Sequence, residues 1–304
     1  MLIWVPLAPV AAALDGVDGI RVEVVDPDDG NPLPPSAAEL EFYVPPLFPC
    51  ELSVAALASM PRLRVVQTLT AGIDLLRPHL PPGAILCNAH GMHDVSTAEW
   101  VVTAILAAVR KIPFFIAEQS AGRWSPAFAS SLAGQTVLIV GYGSIGQAVE
   151  RRLAGFGTTI IKVARSAREG VHPAGELKAL LPEADVVVLL TPVTSETSGM
   201  VDARFLAAMK DGALLVNGAR GTLVRTADLC AELASGRLYA ALDVTDPEPL
   251  PAGHPLWSLP NALITPHAAA TTWLSATTVL GFLREQVLRY QQDTPLVNVI
   301  TGEY

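Results

Sequence analysis

Charge is scarce in this chain of 304 residues: Lys, Arg, Asp and Glu together make up 16% of it, and the balance is acidic, with a net charge of −9. So few basic residues argue against a nucleic-acid partner, because binding a phosphate backbone draws on a face rich in Lys and Arg. Cysteine is scarce too. The three present, Cys50, Cys87 and Cys230, are odd in number and show neither close pairing nor zinc-type spacing. They exclude a disulfide framework, leave no metal site to expect, and read as reduced thiols of a cytoplasmic protein. Long apolar runs are missing as well. Mean hydropathy is high, at +0.40. Yet each apolar stretch meets a charge, a Gly or a Pro before the ~18 residues a membrane helix needs, so no membrane partner is expected. The apolar N-terminal stretch has no basic residue before Arg21 and is interrupted by Pro6 and Pro9. It reads as a buried first strand over 2–7 followed by a loop, not as a leader.

What is present is core material. Hydrophobic residues make up 51% of the chain, enough for two domains with a core each. Short apolar runs alternate with helix-period segments, the pattern of parallel sheets flanked by helices. In the first region, to about residue 95, the expected strands are 2–7, 22–25, 41–44, 64–67 and 84–87. Ser96-Thr97-Ala98-Glu99 has the form of a capping box. The apolar helix it predicts carries Trp100, Ala104, Ile105 and Val109 at helical spacing and ends near Lys111, before Pro113. A helix so apolar is expected to be buried between domains. The second region predicts strands at 136–140, 159–163, 185–190, 213–217, 239–243 and 262–265. Gly157, Gly212 and Gly236 stand where left-handed helix ends are wanted. A last helix runs from Trp273 to about Tyr290, followed by an extended tail around 296–300.

The sharpest motif is Gly141-Tyr142-Gly143-Ser144-Ile145-Gly146, directly after an apolar strand and at the start of a helix with Ile145, Val149 and Leu153 at helical spacing. The chemistry needs that context. The first glycine makes the tight turn, the second lets a pyrophosphate approach the backbone, and the third lets helix and strand pack closely. The helix N-terminus adds unpaired N–H groups and the positive end of a dipole. Which dinucleotide binds turns on the end of the next strand, about 20 residues on, where an acidic residue would take the ribose 2′-hydroxyl. Here the chain reads Ala164-Arg165-Ser166-Ala167-Arg168. No carboxylate is present, and a hydroxyl with two guanidinium groups suits a 2′-phosphate, so NADP is preferred over NAD.

Three polar side chains follow at successive strand ends, where open α/β sheets bind ligands. Arg220 stands at the C-terminal edge of the 213–217 strand, Glu248 follows Asp243 within Asp246-Pro247-Glu248-Pro249, and His267 closes Thr265-Pro266-His267. Each alone could be a surface or turn residue. Their joint placement beside a nucleotide turn makes coincidence improbable.

Taken with Leu69-Thr70-Ala71-Gly72-Ile73-Asp74, Thr97-Ala98-Glu99, Thr191-Pro192 and Glu248-Pro249-Leu250, these motifs give a chain that resembles the D-isomer-specific 2-hydroxyacid dehydrogenases along nearly its whole length. The resemblance, to a family that includes glyoxylate/hydroxypyruvate reductases, implies an α/β fold of two Rossmann-like, doubly wound parallel-sheet domains with the active-site cleft between them. It implies a substrate domain of 1–96 plus 274–304, a dinucleotide-binding domain of 97–273, and hinges near Ser96 and Trp273. It further implies hydride transfer between NADP(H) or NAD(H) and a small 2-oxo or 2-hydroxy acid. His267 would pass the proton, with Glu248 orienting the imidazole and raising its pKa, and Arg220 would bind the substrate carboxylate and polarise its carbonyl. The amides near Ala71 and Gly72 would hold the other carboxylate oxygen. Gly141, Gly143, Ser144, Ile145, Gly146, Arg165, Ser166, Arg168 and Pro192 would line the cofactor, and Asp243 would meet the nicotinamide carboxamide. Ala164 departs from the acidic residue many members carry, which puts NAD use in doubt. Family members are usually homodimers, and the helix after Ser96 is the expected interface element. Two other readings stand beside this one. One is an enzyme that oxidises another small anion such as phosphite; the other is a nucleotide-sensing interaction protein, which would not need an acid–base pair.

Overall fold

A strand buried on both faces can be wholly apolar, and the chain opens with one: all four residues of β1 (Leu2–Val5) are buried. The computed structural model describes residues 1–302, and the chain divides into two units, Met1–His93 with the segment from Trp273 on, and Asp94–Thr272. In the first, β1 leads into the short α1 (Ala8–Ala12), followed by β2 (Arg21–Val24), β3 (Phe42–Tyr43), α2 (Glu51–Ala56), β4 (Val65–Gln67) and β5 (Ile85–Cys87). These form a sheet of order β2-β1-β3-β4-β5 in which every pairing is parallel. Wound in both directions from β1, it is a flavodoxin-type order.

The second unit begins with α3 (Asp94–Val109) and α4 (Ile112–Ser120), then β6 (Thr136–Val140), α5 (Ser144–Leu153), β7 (Thr159–Ala164), β8 (His172–Pro173), α6 (Leu177–Leu180) and β9 (Val186–Leu189). It continues through α7 (Ala203–Ala208), β10 (Leu214–Asn217), α8 (Thr226–Ala234), β11 (Tyr239–Leu242) and β12 (Ala262–Ile264). The sheet runs β12-β11-β10-β9-β6-β7-β8, again all parallel. Counted from β6 this is the Rossmann order with one further strand. One face of the sheet buries Leu138, Val187, Leu215 and Leu242 under α7 and α8, and the other buries Val137, Val188, Val216 and Ala241 under α3 and α5. α9 (Trp273–Gln291) then returns to the first unit, packing Val279, Leu283 and Val287 against Ile3, Val5 and Phe42. Arg284 donates to the carbonyls of Ala13 and Asp15 at 3.0 and 2.9 Å. The tail is extended as expected: Val299 bridges antiparallel to Cys87, and the Ile300 amide donates to Leu86 at 2.9 Å. The expected substrate domain runs to residue 304, of which 303 and 304 lie outside the described residues.

One sequence expectation needs correction. The capping box does not form. α3 starts at Asp94, so Ser96 is inside the helix, and its hydroxyl bonds Thr272 at 2.6 Å while Glu99 faces Arg152 at 3.4 Å. A tertiary partner 176 residues away outcompetes the local backbone. The helix ends within two residues of Lys111, as the sequence leads one to expect. α3 ends at Val109, Lys111 takes a left-handed conformation (φ 54°), and Pro113 opens α4 near its first position, where a missing N–H costs nothing. The apolar face of α3 is consumed in its own unit's core, where Ala98, Val101 and Ile105 are fully buried. Gly157, Gly212 and Gly236 are left-handed, at φ 68°, 79° and 77°. No single described helix is long and apolar enough to cross a membrane.

Candidate active site

The glycine turn works by three different steric demands. Gly141, at φ +101°, passes so close to the β9 end that a Cβ would lie 2.5 Å from the carbonyl carbon of Leu190 and from the nitrogen of Thr191. At Gly146 a Cβ would stand 2.9 Å from the Gly141 carbonyl and 3.2 Å from Ile139, so α5 can lie against β6 only because this residue lacks one. A Cβ at Gly143 would meet nothing within 4 Å. That glycine is the N-cap of α5 and uses no side chain to cap it, which leaves the helix's first N–H groups without a side-chain partner from the cap. A clear approach to bare backbone N–H donors is what a pyrophosphate requires, so the turn fits a dinucleotide. Ser144 spends its hydroxyl on Asp94 at 3.1 Å, and Ile145 is half-buried beside the core. Pro192 is exposed, with its carbonyl accepting from the Thr197 hydroxyl at 2.7 Å.

The turn is bound to the end of β7. The amides of Gly141 and Tyr142 both donate to the Val163 carbonyl at 2.9 Å. Ala164, half-buried, and the exposed Arg165, Ser166 and Arg168 therefore emerge next to it. Arg168 donates through Nη2 to the Tyr142 carbonyl and lies over the Tyr142 ring.

The acid–base group is assembled by the adjacent strands β10, β11 and β12, which are parallel and so deliver their C-terminal ends on one side. Arg220 follows β10. Its own carbonyl accepts from Asn217 Nδ2 at 2.8 Å, and its Nη1 donates to the Ala219 carbonyl at 2.7 Å. Gly221 is required where that loop crosses the one after β11, since a Cβ there would lie 1.8 Å from the Thr245 carbonyl oxygen. Glu248 is reached through a segment in which Asp246–Pro247 and Glu248–Pro249 are cis. His267 follows β12 in a left-handed conformation, φ 50°, which non-glycine residues seldom adopt. Its amide donates to the carbonyls of Asp243 (2.7 Å) and Thr265 (3.1 Å), and its Nδ1 meets Glu248 Oε1 at 2.6 Å. The imidazole and carboxylate are 32% and 39% exposed, so neither is sealed from solvent. Burial works to raise the Glu248 pKa. The hydrogen bond and charge of His267, the Thr245 amide and the Arg220 charge outweigh it and hold the carboxyl below its ordinary range.

Asp243 directly follows β11 and faces the histidine loop. It is buried, and its carboxylate is already engaged: Oδ1 accepts from Thr265 Oγ1 at 2.5 Å and from the Ala268 amide at 2.8 Å, and Oδ2 accepts from the Ala269 amide at 2.9 Å. It ties down the loop that carries the histidine. Ala71 and Gly72 belong to the first unit, where their carbonyls are held by Asn88 Nδ2 at 2.8 Å and Thr70 Oγ1 at 3.0 Å. Sequence reasoning missed Tyr142, Thr265 and the steric role of Gly221. An aromatic between two glycines carries no periodic signal, and the Gly221 crossing joins loops that are 24 residues apart in the chain.

Residues 102–269 match the family model described as D-isomer specific 2-hydroxyacid dehydrogenase, NAD binding domain. The chain is 37% identical over 236 residues to a mouse protein named glyoxylate reductase/hydroxypyruvate reductase, spanning 71% of this chain and 70% of that one. Among solved structures, a D-isomer specific 2-hydroxyacid dehydrogenase from Xanthobacter autotrophicus in complex with NADPH and MES superposes with a TM-score of 0.83 at 30% identity, covering 99% of this chain and 97% of that one. A member from Aeromonas salmonicida superposes at 0.86 with 29% identity, over 99% and 98% of the two chains. With a glycine turn shaped for a dinucleotide and an Arg, Glu and His gathered at neighbouring strand ends, the chain belongs to the D-isomer-specific 2-hydroxyacid dehydrogenases, oxidoreductases that transfer a hydride between a nicotinamide cofactor and a 2-oxo acid.

Proposed function

We propose that the enzyme reduces a small 2-oxo acid of the glyoxylate or hydroxypyruvate type with NADPH, with His267 as the acid that protonates the new hydroxyl oxygen. The observation that carries the proton assignment is the 2.6 Å bond between His267 Nδ1 and Glu248 Oε1. It ties one ring nitrogen to the carboxylate and so fixes the orientation of the imidazole. When bound, a dihydronicotinamide would supply the hydride to the 2-oxo carbon. As that carbon accepts it, the carbonyl oxygen becomes an alkoxide, and His267 Nε2 donates a proton to it; in the reverse direction the same nitrogen takes the proton back. Glu248, kept ionised, balances the imidazolium in the state that precedes transfer. Arg220 binds the substrate carboxylate and polarises the carbonyl, a role suited to its forked donors. Asp243 fixes the 265–269 loop, and so the unusual backbone of His267, through three hydrogen bonds.

NADP rather than NAD is supported by Ala164 standing where a carboxylate would repel a 2′-phosphate, followed by Arg165, Ser166 and Arg168. A cytoplasmic homodimer is the proposed form. Apolar side chains left in solvent support a second copy: Ile112, Phe114 and Ile116 on α4, and then Trp124 and Phe128, which are 98% and 100% exposed. A monomer by light scattering removes that part of the reading. The decisive experiment measures NADPH and NADH oxidation against a panel of 2-oxo acids. His267→Ala should lower turnover by about 10²–10⁴-fold while NADPH still binds. Wild-type turnover in that variant would overturn the proton assignment.

A further inference from the structure

We propose that Tyr142, the second residue of the glycine turn, is a positioning residue that seats Arg168 for the 2′-phosphate of NADP and thereby sets the choice between the two dinucleotides; this rests on the NADP reading above. Tyr142 is anchored to β7 by its amide, which shares the Val163 carbonyl with Gly141 at 2.9 Å. Its phenol donates to Glu150. Burial, and then the Glu150 carboxylate, push the phenol's pKa up to about 12, so it is a donor throughout the neutral range. Two cations lie over its ring, Lys162 Nζ at 5.3 Å and the Arg168 guanidinium carbon at 5.6 Å from the centroid. They are not equivalent. Lys162 is paired with Glu150 at 3.0 Å, so its charge is answered within the unit.

Arg168 is held from three sides, with no carboxylate paired to it among the described residues. Its backbone is bridged to Val171 in both directions, at 3.2 and 2.9 Å. Its Nη2 donates to the Tyr142 carbonyl, and the aromatic face carries the guanidinium. A guanidinium has five N–H donors, so one bond to a carbonyl leaves a further edge for a phosphate. An exposed arginine ordinarily loses rotamer freedom when it binds an anion. One held in place beforehand by an aromatic face and a carbonyl loses less, so the ring raises affinity for the 2′-phosphate without touching it.

The test measures, by calorimetry on the full chain, the affinity for adenosine 2′,5′-bisphosphate and for 5′-AMP, which differ only by the 2′-phosphate. Tyr142→Leu should lower bisphosphate affinity about 3–10-fold and leave AMP affinity within about twofold. Tyr142→Phe, which keeps the ring, should retain most of the preference, and in an Arg168→Ala background Tyr142→Leu should have no further effect. If Tyr142→Leu does not fold, Tyr142→Met takes its place. Equal losses for both ligands, or a preference that survives Tyr142→Leu while Arg168→Ala abolishes it, would overturn the role of Tyr142 and leave NADP use standing. No preference in the wild-type protein would overturn NADP use itself, and this proposal with it.

Discussion

The two units contain the same local event with different residues. In each, the strand from which the sheet is wound in both directions runs straight into a helix: β1 into α1 in the first, β6 into α5 in the second. After β6 the chain uses three glycines, one left-handed, one exposed and one pressed against the strand, and the helix that follows runs 10 residues. After β1 it uses Pro6, Leu7, Ala8 and Pro9. Leu7 is the N-cap, half-exposed, and a proline stands at the first turn of a helix of only 5 residues. A proline there removes an N–H, and the leucine side chain covers backbone that a glycine would leave bare. Topology provides a place for a ligand in both sheets. Only the residues in the turn after β6 make one of those places able to receive a pyrophosphate.

Four substitutions break or sharpen that comparison. Gly141→Val should be the most damaging, because a Cβ must enter the Leu190–Thr191 peptide at a backbone angle valine avoids. A loss of about 3 kcal/mol or more is expected in urea unfolding, with dinucleotide binding abolished. Gly143→Ala should separate binding from folding. Its Cβ meets nothing within 4 Å, so unfolding should shift by less than about 1 kcal/mol, while NADPH affinity falls about tenfold because the methyl stands in the ligand's approach. Unchanged affinity in that variant would mean the turn after β6 is no more a ligand site than the one after β1.

Glu248→Gln probes the other end of the second sheet. The native carboxyl has a pKa held below its ordinary value, so its stabilising contribution is present above the ordinary carboxylate range and is lost as pH falls through the lower native value. Between those two values the wild-type protein should lose stability on acidification faster than Glu248→Gln, as read from urea midpoints at a series of acidic pH values. Near neutral pH the variant should show a lower kcat/KM, since an amide cannot balance the imidazolium. The smallest effect is expected from Leu7→Gly in the first unit. Stability should drop by no more than about 1 kcal/mol, with no change in NADPH affinity. A measurable change in cofactor binding there would contradict the division of labour between the two turns.

Much of this was legible because it is local. Alternating apolar runs placed all five strands of the first sheet and six of the seven in the second to within two residues of either end. The two-residue β8 escaped because it is too short to show a period. The left-handed glycines at 157, 212 and 236 follow from the absence of a Cβ. What was misread depended on partners distant in the chain. Ser96 and Glu99 have the spacing of a cap, and only the packed structure offers Ser96 the Thr272 hydroxyl instead. The two amides and the hydroxyl that the histidine loop brings to the Asp243 carboxylate are likewise contacts that no local pattern announces.

Composition and spacing by themselves determined the α/β class, the dinucleotide turn and the three side chains gathered at strand ends, because those depend on side-chain period and on the steric freedom of glycine within a few residues. Tertiary structure alone decided that the Asp243 carboxylate ties down the loop of the imidazole. It also decided that Gly221 must be bare to pass Thr245 and that the ring of Tyr142 lies under Arg168. Each of those outcomes is a contact between segments the chain keeps apart, set by how close two backbones can come and by which donors remain unpaired when they do.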